Sequence, residues 1–278
     1  MRRGATGSCT ATGPSRPPPE RVAEIRITRL SLTPIKGTRL LDVDAVSLQP
    51  TGAAGNRRFF VIDERDRMVN GKVIGALQQI VARVRGDELS LELPDGSRVA
   101  APVPAGPPVR ARFFSRMREG RLVEGPFADA ISGACGRPLR LVEDLTGAVD
   151  RGAAAGVSLM SRASLRRLAT EAEVDAIDGR RFRMLIEIDG VEAHAEDSWV
   201  GRDVSIGEAR VRFGGHVGRC LVTSREPESG EIDLPTLDVL GYYRGHGHVE
   251  STEPLPFGIY GAVTAPGEIR VGDALVVE

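Results

Sequence analysis

Cys220 closes the run His216-Val217-Gly218-Arg219-Cys220. A glycine two residues upstream lets backbone approach a ligand, and the adjacent arginine favours a thiolate over a thiol. A thiolate is a soft ligand suited to a metal that changes oxidation state. Taken alone, a cysteine in such a run is most often a small buried core residue. Lys36 sits in the turn Pro34-Ile35-Lys36-Gly37 straight after an apolar run, where grafted sites tend to lie. Arg183 can grip a phosphate with two parallel hydrogen bonds, whereas an ammonium such as Lys36 acts as a compact point charge. Read singly, Arg57 and Arg183 are equally well solvated surface arginines.

The background sharpens the lysines. Of 37 basic residues only Lys36 and Lys72 are lysine, which suggests a coding bias toward arginine. A lysine retained against that bias points to a site that needs an ammonium. The other two cysteines, Cys9 and Cys135, are widely spaced and form no CxxC, so neither a disulfide framework nor a zinc site is expected. Cys135 ends an apolar segment and reads as a small core residue. His216, His246 and His248 lie near glycines and read as exposed loop residues, and Trp199 as a core anchor.

Positioning these residues requires a sizeable core. The chain has 278 residues, 41% of them hydrophobic, and a net charge of −1 that gives no reason to expect nucleic-acid binding. No apolar run approaches the ~20 residues that span a bilayer. The first twenty or so residues are rich in Gly, Ser, Thr and Pro, lack an apolar signal core, and read as a disordered tail; the expected location is cytoplasmic.

Alternating apolar positions predict strands at 25–32, 41–48 and 58–63, with a hairpin of 80–85 and 88–93 around Gly86-Asp87. The Pro/Gly-rich stretch 101–108 reads as a loop. Helices are expected at 127–135, at 161–169 with Ser161 as N-cap, and at 237–242. Strands return at 182–188, 204–206, 210–213, 221–223, 259–264 and 275–277. A soft boundary near 146–156 separates two halves.

In order along the chain, several pieces resemble the MOSC family, in particular its two-part members with an N-terminal β-barrel, which include the amidoxime-reducing enzymes. They are Pro34-Ile35-Lys36-Gly37, Gly55-Asn56-Arg57-Arg58-Phe59, Ser158-Leu159-Met160-Ser161, Arg181-Phe182-Arg183, Glu196-Asp197-Ser198-Trp199, Arg219-Cys220, Phe257-Gly258-Ile259-Tyr260 and the terminal Pro266 to Asp273 run. The resemblance implies a mostly β (α+β) fold, with a tail at 1–21, a MOSC N-terminal β-barrel domain at 22–145 and a MOSC domain at 146–278. It implies a molybdenum cofactor (molybdopterin) with Cys220 as the metal-ligating, catalytic residue. Lys36, Arg57, Lys72, Ser161, Arg183, Arg219 and Tyr260 are then the expected cofactor contacts. A pyridoxal-phosphate-binding label also accompanies such domains.

The implied reaction is reduction of an N-hydroxylated or N-oxide small molecule by oxygen-atom transfer. No cysteine follows Cys220, so electrons are expected from a separate ferredoxin-, flavodoxin- or cytochrome-like donor, with no nucleic acid or membrane partner. Three departures from the family pattern bear on substrate and cofactor: Leu185 replaces an amide, Gly218 replaces a polar residue, and Asn56 replaces an aspartate. A sulfur carrier with a persulfide on Cys220 and a non-catalytic cofactor-binding protein are alternatives.

Overall fold

The structure, a computed structural model, describes Met1 and residues 24–145, 152–245 and 249–278. The expected N-terminal tail beyond Met1, Cys9, His246, His248 and most of the predicted boundary lie outside these residues. The described residues are mostly strand with three α-helices, the α+β class expected from the alternating pattern.

The first strand, β1 (Arg26–Leu32), forms where expected, but a register shift between Ile27 and Arg29 breaks the strict alternation and lets Ile27 and Leu30 enter the same core. The single strand expected at 41–48 is two, β2 (Leu41–Val43) and β3 (Ala45–Gln49), and β4 (Gly52–Ala53) folds back on β3. A glycine at 52 is required there, because it has φ +113° and a Cβ would lie 2.7 Å from the Gly156 carbonyl oxygen.

Next come β5 (Phe59–Ile62), β6 (Met68–Val69), β7 (Val81–Arg85), β8 (Glu88–Glu92) and β9 (Arg98–Pro102). The 7–8 hairpin turns at Gly86-Asp87 as predicted. The loop expected at 101–108 is instead the end of β9 and the start of β10 (Ala105–Phe113). Its prolines sit where the β10 register shifts, a place where a missing N–H costs no ladder bond. A long ribbon partner, β11 (Arg116–Val123), and β12 (Arg140–Asp144) flank helix α1 (Phe127–Cys135), which ends on a left-handed Gly136.

Strands β10-β11-β12-β5-β6 form one sheet, and a bridge between Arg67 and Arg112 brings its two edges together. Every residue of β5 is buried. Phe60 and Ile62 pack with Phe113 and Val142 on one face, Phe60 edge-on to Phe113 at 5.5 Å. Phe59 and Val61 pack on the other, against α1 and the β7–β9 sheet. Burial on both faces explains why Phe59–Ile62 is uniformly apolar rather than alternating.

The second half contributes β13 (Val157–Ser161), α2 (Arg162–Glu171), β14 (Ile186–Asp189), β15 (Asp203–Ile206), β16 (Ala209–Gly218), α3 (Thr236–Arg244), β17 (Pro256–Ala265), β18 (Gly267–Arg270) and β19 (Leu275–Val277). An eight-stranded sheet runs β19-β15-β16-β17-β13-β14-β1-β2, and β18 pairs with β3. Strands from residues 26–53 are therefore built into sheets with strands from residues 157–277.

Two predicted strands are corrected. Residues 179–182 form a 3₁₀ turn ending on left-handed Arg183, with strand only from Ile186, and Leu221–Ser224 is a 3₁₀ turn. Phe182 is buried in the first turn and Thr223 and Ser224 in the second, packing from other elements that a short apolar or β-branched run misreads as strand.

Candidate active site

A cleft of about 580 Å³ opens where the barrel meets the eight-stranded sheet. Its floor begins with the turn after β1. Ile35 is fully buried and bridged to Phe59, and the Lys36 N–H donates to the Phe59 carbonyl at 2.8 Å. Thr38 Oγ1 donates to the Ile35 carbonyl at 2.8 Å and lies 2.7 Å from Thr33 Oγ1. This buried hydroxyl pair pins the turn and delivers Lys36 to the cleft wall, with its ammonium 5.7 Å from the centre of the Phe113 ring.

Two arginines join this turn to the second half. Arg57 and Arg183 both have left-handed backbones, φ 53° and 55°, which non-glycine residues rarely adopt. Arg57 Nη2 donates to the Arg183 carbonyl at 2.9 Å, and Arg183 Nη2 donates to the Thr38 carbonyl at 2.6 Å. Backbone strain of this kind persists where surrounding contacts over-determine it, and it gathers at functional sites.

Cys220 stands at the opposite wall, between the end of β16 and the 3₁₀ turn Leu221–Ser224. Its side chain is exposed, which excludes the buried-core reading. Arg219 beside it lines the cleft, but its guanidinium is tied into the structure. Nε donates to the Phe257 carbonyl at 2.8 Å and Nη1 to the Phe182 carbonyl at 2.9 Å, and the group lies over the Phe182 ring at 5.1 Å. Phe182 and Phe257 stack at 4.5 Å. Arg219 thus positions Cys220 on an aromatic platform. Tyr260, on β17, also lines the cleft and packs on Gly215, where a Cβ would come within 2.8 Å of its hydroxyl.

Ser161 and Lys72 are not in the cleft. Ser161 is fully buried as the N-cap of α2: its Oγ accepts from the Ser164 N–H at 3.1 Å and lies 2.7 Å from Ser164 Oγ. Glu196 Oε1 completes this knot, accepting from the Ser161 N–H and the Ser164 hydroxyl. Lys72 points to solvent, and its neighbours Asn70 and Gly71 line the cleft instead. Two of the three departures also have structural accounts. Leu185 is a core residue of the large sheet, and Gly218 lies against the Glu253 side chain, whose carboxylate would have to move aside for a Cβ.

Three further basic residues of the cleft are not among the expected contacts, although Arg181 lies in the Arg181-Phe182-Arg183 piece. Arg116 and Arg118 arrive on the β10–β11 hairpin together with Phe113, Phe114 and Ser115, and Arg181 is held by Asp233 through two 2.6 Å contacts. Among the lining residues are seven basic side chains, one thiol and no carboxylate.

Behind the cleft, His216 is not an exposed loop residue. It is buried on β16, with Nε2 3.5 Å from Asp197 Oδ1. Asp197 also accepts from Arg244 Nη2 at 2.8 Å. Burial works to raise the Asp197 pKa, but His216 and Arg244 outweigh it and hold the carboxyl below its usual range. His194, packed against Phe257 and Tyr243, is pushed down to about 4 by burial and by Arg244. A depressed histidine contributes stability above its unfolded value near 6.5 and loses it as pH falls toward 4. We expect the unfolding free energy from urea titration to drop across that window, by on the order of 1–3 kcal/mol. Glu187 and Glu196, raised by burial, act in the opposite sense, so the comparison is with His194→Asn, which suits the φ of 63° and should flatten the curve. Equal curves for parent and variant would contradict this.

Residues 24–129 match the family model of the MOSC N-terminal beta barrel domain, and residues 146–276 match the MOSC domain. The chain belongs to the MOSC family. That family is associated with molybdenum-cofactor binding. The chain is 27% identical over 282 residues to mitochondrial amidoxime-reducing component 1 of Xenopus laevis, covering 89% of this chain and 80% of the relative. It is 27% identical over 273 residues to the Danio rerio protein of the same name, with 89% and 83% covered. A solved structure, the YuaD protein of Bacillus subtilis, aligns at 13% identity and a TM-score of 0.46, covering 91% of this chain and 94% of that one. No helix among the described residues is long and apolar enough to cross a membrane.

Proposed function

We propose that this MOSC protein is a molybdenum-cofactor oxidoreductase that reduces N-hydroxylated or N-oxide small molecules, with Cys220 as the protein ligand to the metal. The observation that carries the proposal is the acid-free cleft: seven basic side chains surround one exposed thiol. That donor set suits an anionic cofactor bearing a phosphate and a dithiolene. The described residues hold no group of three or more His, Cys, Asp or Glu side chains able to chelate a metal, so a metal at Cys220 would take its other ligands from the cofactor itself. When bound, the cofactor supplies two-electron oxygen-atom transfer.

The chain's own residues do the rest. Lys36, Arg57 and Arg183 converge from three segments and would hold the anionic part of the cofactor. Arg219 fixes the backbone that presents Cys220. Phe113 and Phe114 narrow the barrel side of the cleft and restrict the approach of substrate. Electrons would come from a separate small redox protein.

Elemental analysis of chain produced in a cofactor-competent host tests this directly. Molybdenum near one per chain with reduction of an N-oxide is expected. Persulfide sulfur on Cys220 without metal would replace the proposal with sulfur carriage, which the exposure of that thiol also permits; bound cofactor without turnover would leave a binding protein.

Lys36→Ala and Arg183→Ala should lower cofactor occupancy more than turnover per bound molybdenum. Loss of a charge-assisted hydrogen bond costs roughly 1.5–3 kcal/mol, about ten- to a hundredfold in affinity. Lys36→Arg should not restore occupancy, since a planar fork does not replace a compact ammonium. Titration of cofactor into each apo-variant measures this, and normal occupancy in both alanine variants would remove the two residues from the binding set.

A further inference from the structure

The β10–β11 ribbon has two faces of different character. Its inner face carries Ala111 and Phe113 into the barrel. Its outer face carries Arg110, Arg112 and Arg121, all exposed, and Arg67 is bridged to Arg112 from the neighbouring edge. Among the described residues none of these four arginines forms an ion pair with a carboxylate. The one carboxylate on that face of the ribbon is Glu119, opposite Arg110. Glu143 stands opposite Arg121 on the next strand and Asp63 lies near Arg67, so this face carries a net excess of arginine over carboxylate in a chain of net charge −1.

The ribbon tip adds exposed apolar surface. Phe114 is 62% and Met117 53% exposed, and Phe114 is held at φ 56° in the two-residue turn, a position that glycine normally takes. Arginine, aromatic and methionine side chains are the types enriched at protein interfaces. The same tip lines the cleft, so a partner seated on the ribbon borders the cleft that holds Cys220.

We infer that the outer face of the β10–β11 hairpin is the docking surface for an acidic electron-transfer protein, with Phe114 and Met117 as its apolar contact. This rests on the reductase reading for the partner's role, while the surface itself rests on charge and exposure. Complementary charge steers encounter, and such binding weakens as salt screens it.

The test uses the full chain with two probes, an acidic flavodoxin and an acidic plant-type ferredoxin, and measures binding at 50 and 200 mM salt. At least one should bind at low salt and weaken about tenfold or more at high salt. Arg110→Glu/Arg112→Glu should weaken it at least tenfold again, and Arg110→Gln/Arg112→Gln by a smaller factor should the reversal impair folding. With dithionite as reductant both variants should keep the parent's turnover per molybdenum. Absence of binding by both probes, binding indifferent to the substitutions, or tighter binding of the chain to phosphatidylglycerol vesicles than to either protein would overturn the assignment. A parent that reduces no N-oxide with dithionite sinks the reductase reading instead, and the binding series still judges the surface.

Discussion

Cys220→Ala should abolish reduction of N-oxides, by more than roughly a hundredfold, and leave the folded chain close to parental stability. Outer-shell partners of metal ligands already cost ten- to a hundredfold when removed, and a direct ligand should cost more. The stability half of the expectation comes from exposure. Cys220 projects into an open cleft and contributes nothing to a packed core, so truncation leaves no cavity. Its carbonyl, which accepts from the Thr223 N–H at 3.0 Å, is untouched by the substitution. Activity, molybdenum content and the urea midpoint should be measured together. Full turnover in the variant, or unfolding of it, would refute the ligand role. Cys135 serves as the contrast: half-buried at the end of α1, with a thiol pushed up to about 11 by burial, it should be dispensable for turnover.

Arg244→Met should be the most destabilising single change near the site, by about 3–5 kcal/mol. Arg244 is 4% exposed, donates from Nε to the Pro256 carbonyl at 2.7 Å, and is ion-paired to Asp197 at 2.8 Å. Removing it leaves a largely buried carboxylate with only His216 beside it, and it unties α3 from the start of the strand whose Phe257 carbonyl anchors Arg219. Removing both charges, in Arg244→Met/Asp197→Leu, should recover a good part of the loss, because the penalty lies mainly in the unpaired charge. Denaturant titration of the two single variants and the double variant gives the coupling. Strict additivity would show that the pair does not interact.

Much of the element pattern was legible from residue types. The apolar run of Ile25 to Leu32 marks β1, Gly86-Asp87 marks the β7–β8 hairpin, and Ser161 marks the start of α2, since local hydrogen bonding and side-chain period act within a few residues. Where burial comes from distant partners, the same reasoning fails. Residues 101–108 looked like a loop because prolines forbid a central strand, but not an edge position beside a register shift. Leu221–Thr223 looked like strand because three apolar or β-branched residues share that signature with a packed 3₁₀ turn.

The site divides in the same way. Residue chemistry and ordered motifs singled out Cys220, Lys36, Arg57, Arg183, Arg219 and Tyr260 from the sequence, and the fold brings all six to one cleft. Sequence could not separate a serine that caps a helix from one that meets a ligand, nor a solvated lysine from one in the wall, because Ser161 and Lys72 lie beside the right motifs. Nor could it reveal that His216 is buried against Asp197, or that a hairpin centred on Phe114 delivers Arg116 and Arg118 to a cysteine a hundred residues away. Short-range backbone preferences are written in neighbouring side chains; the meeting of the barrel with the large sheet depends on long-range packing that no local window contains.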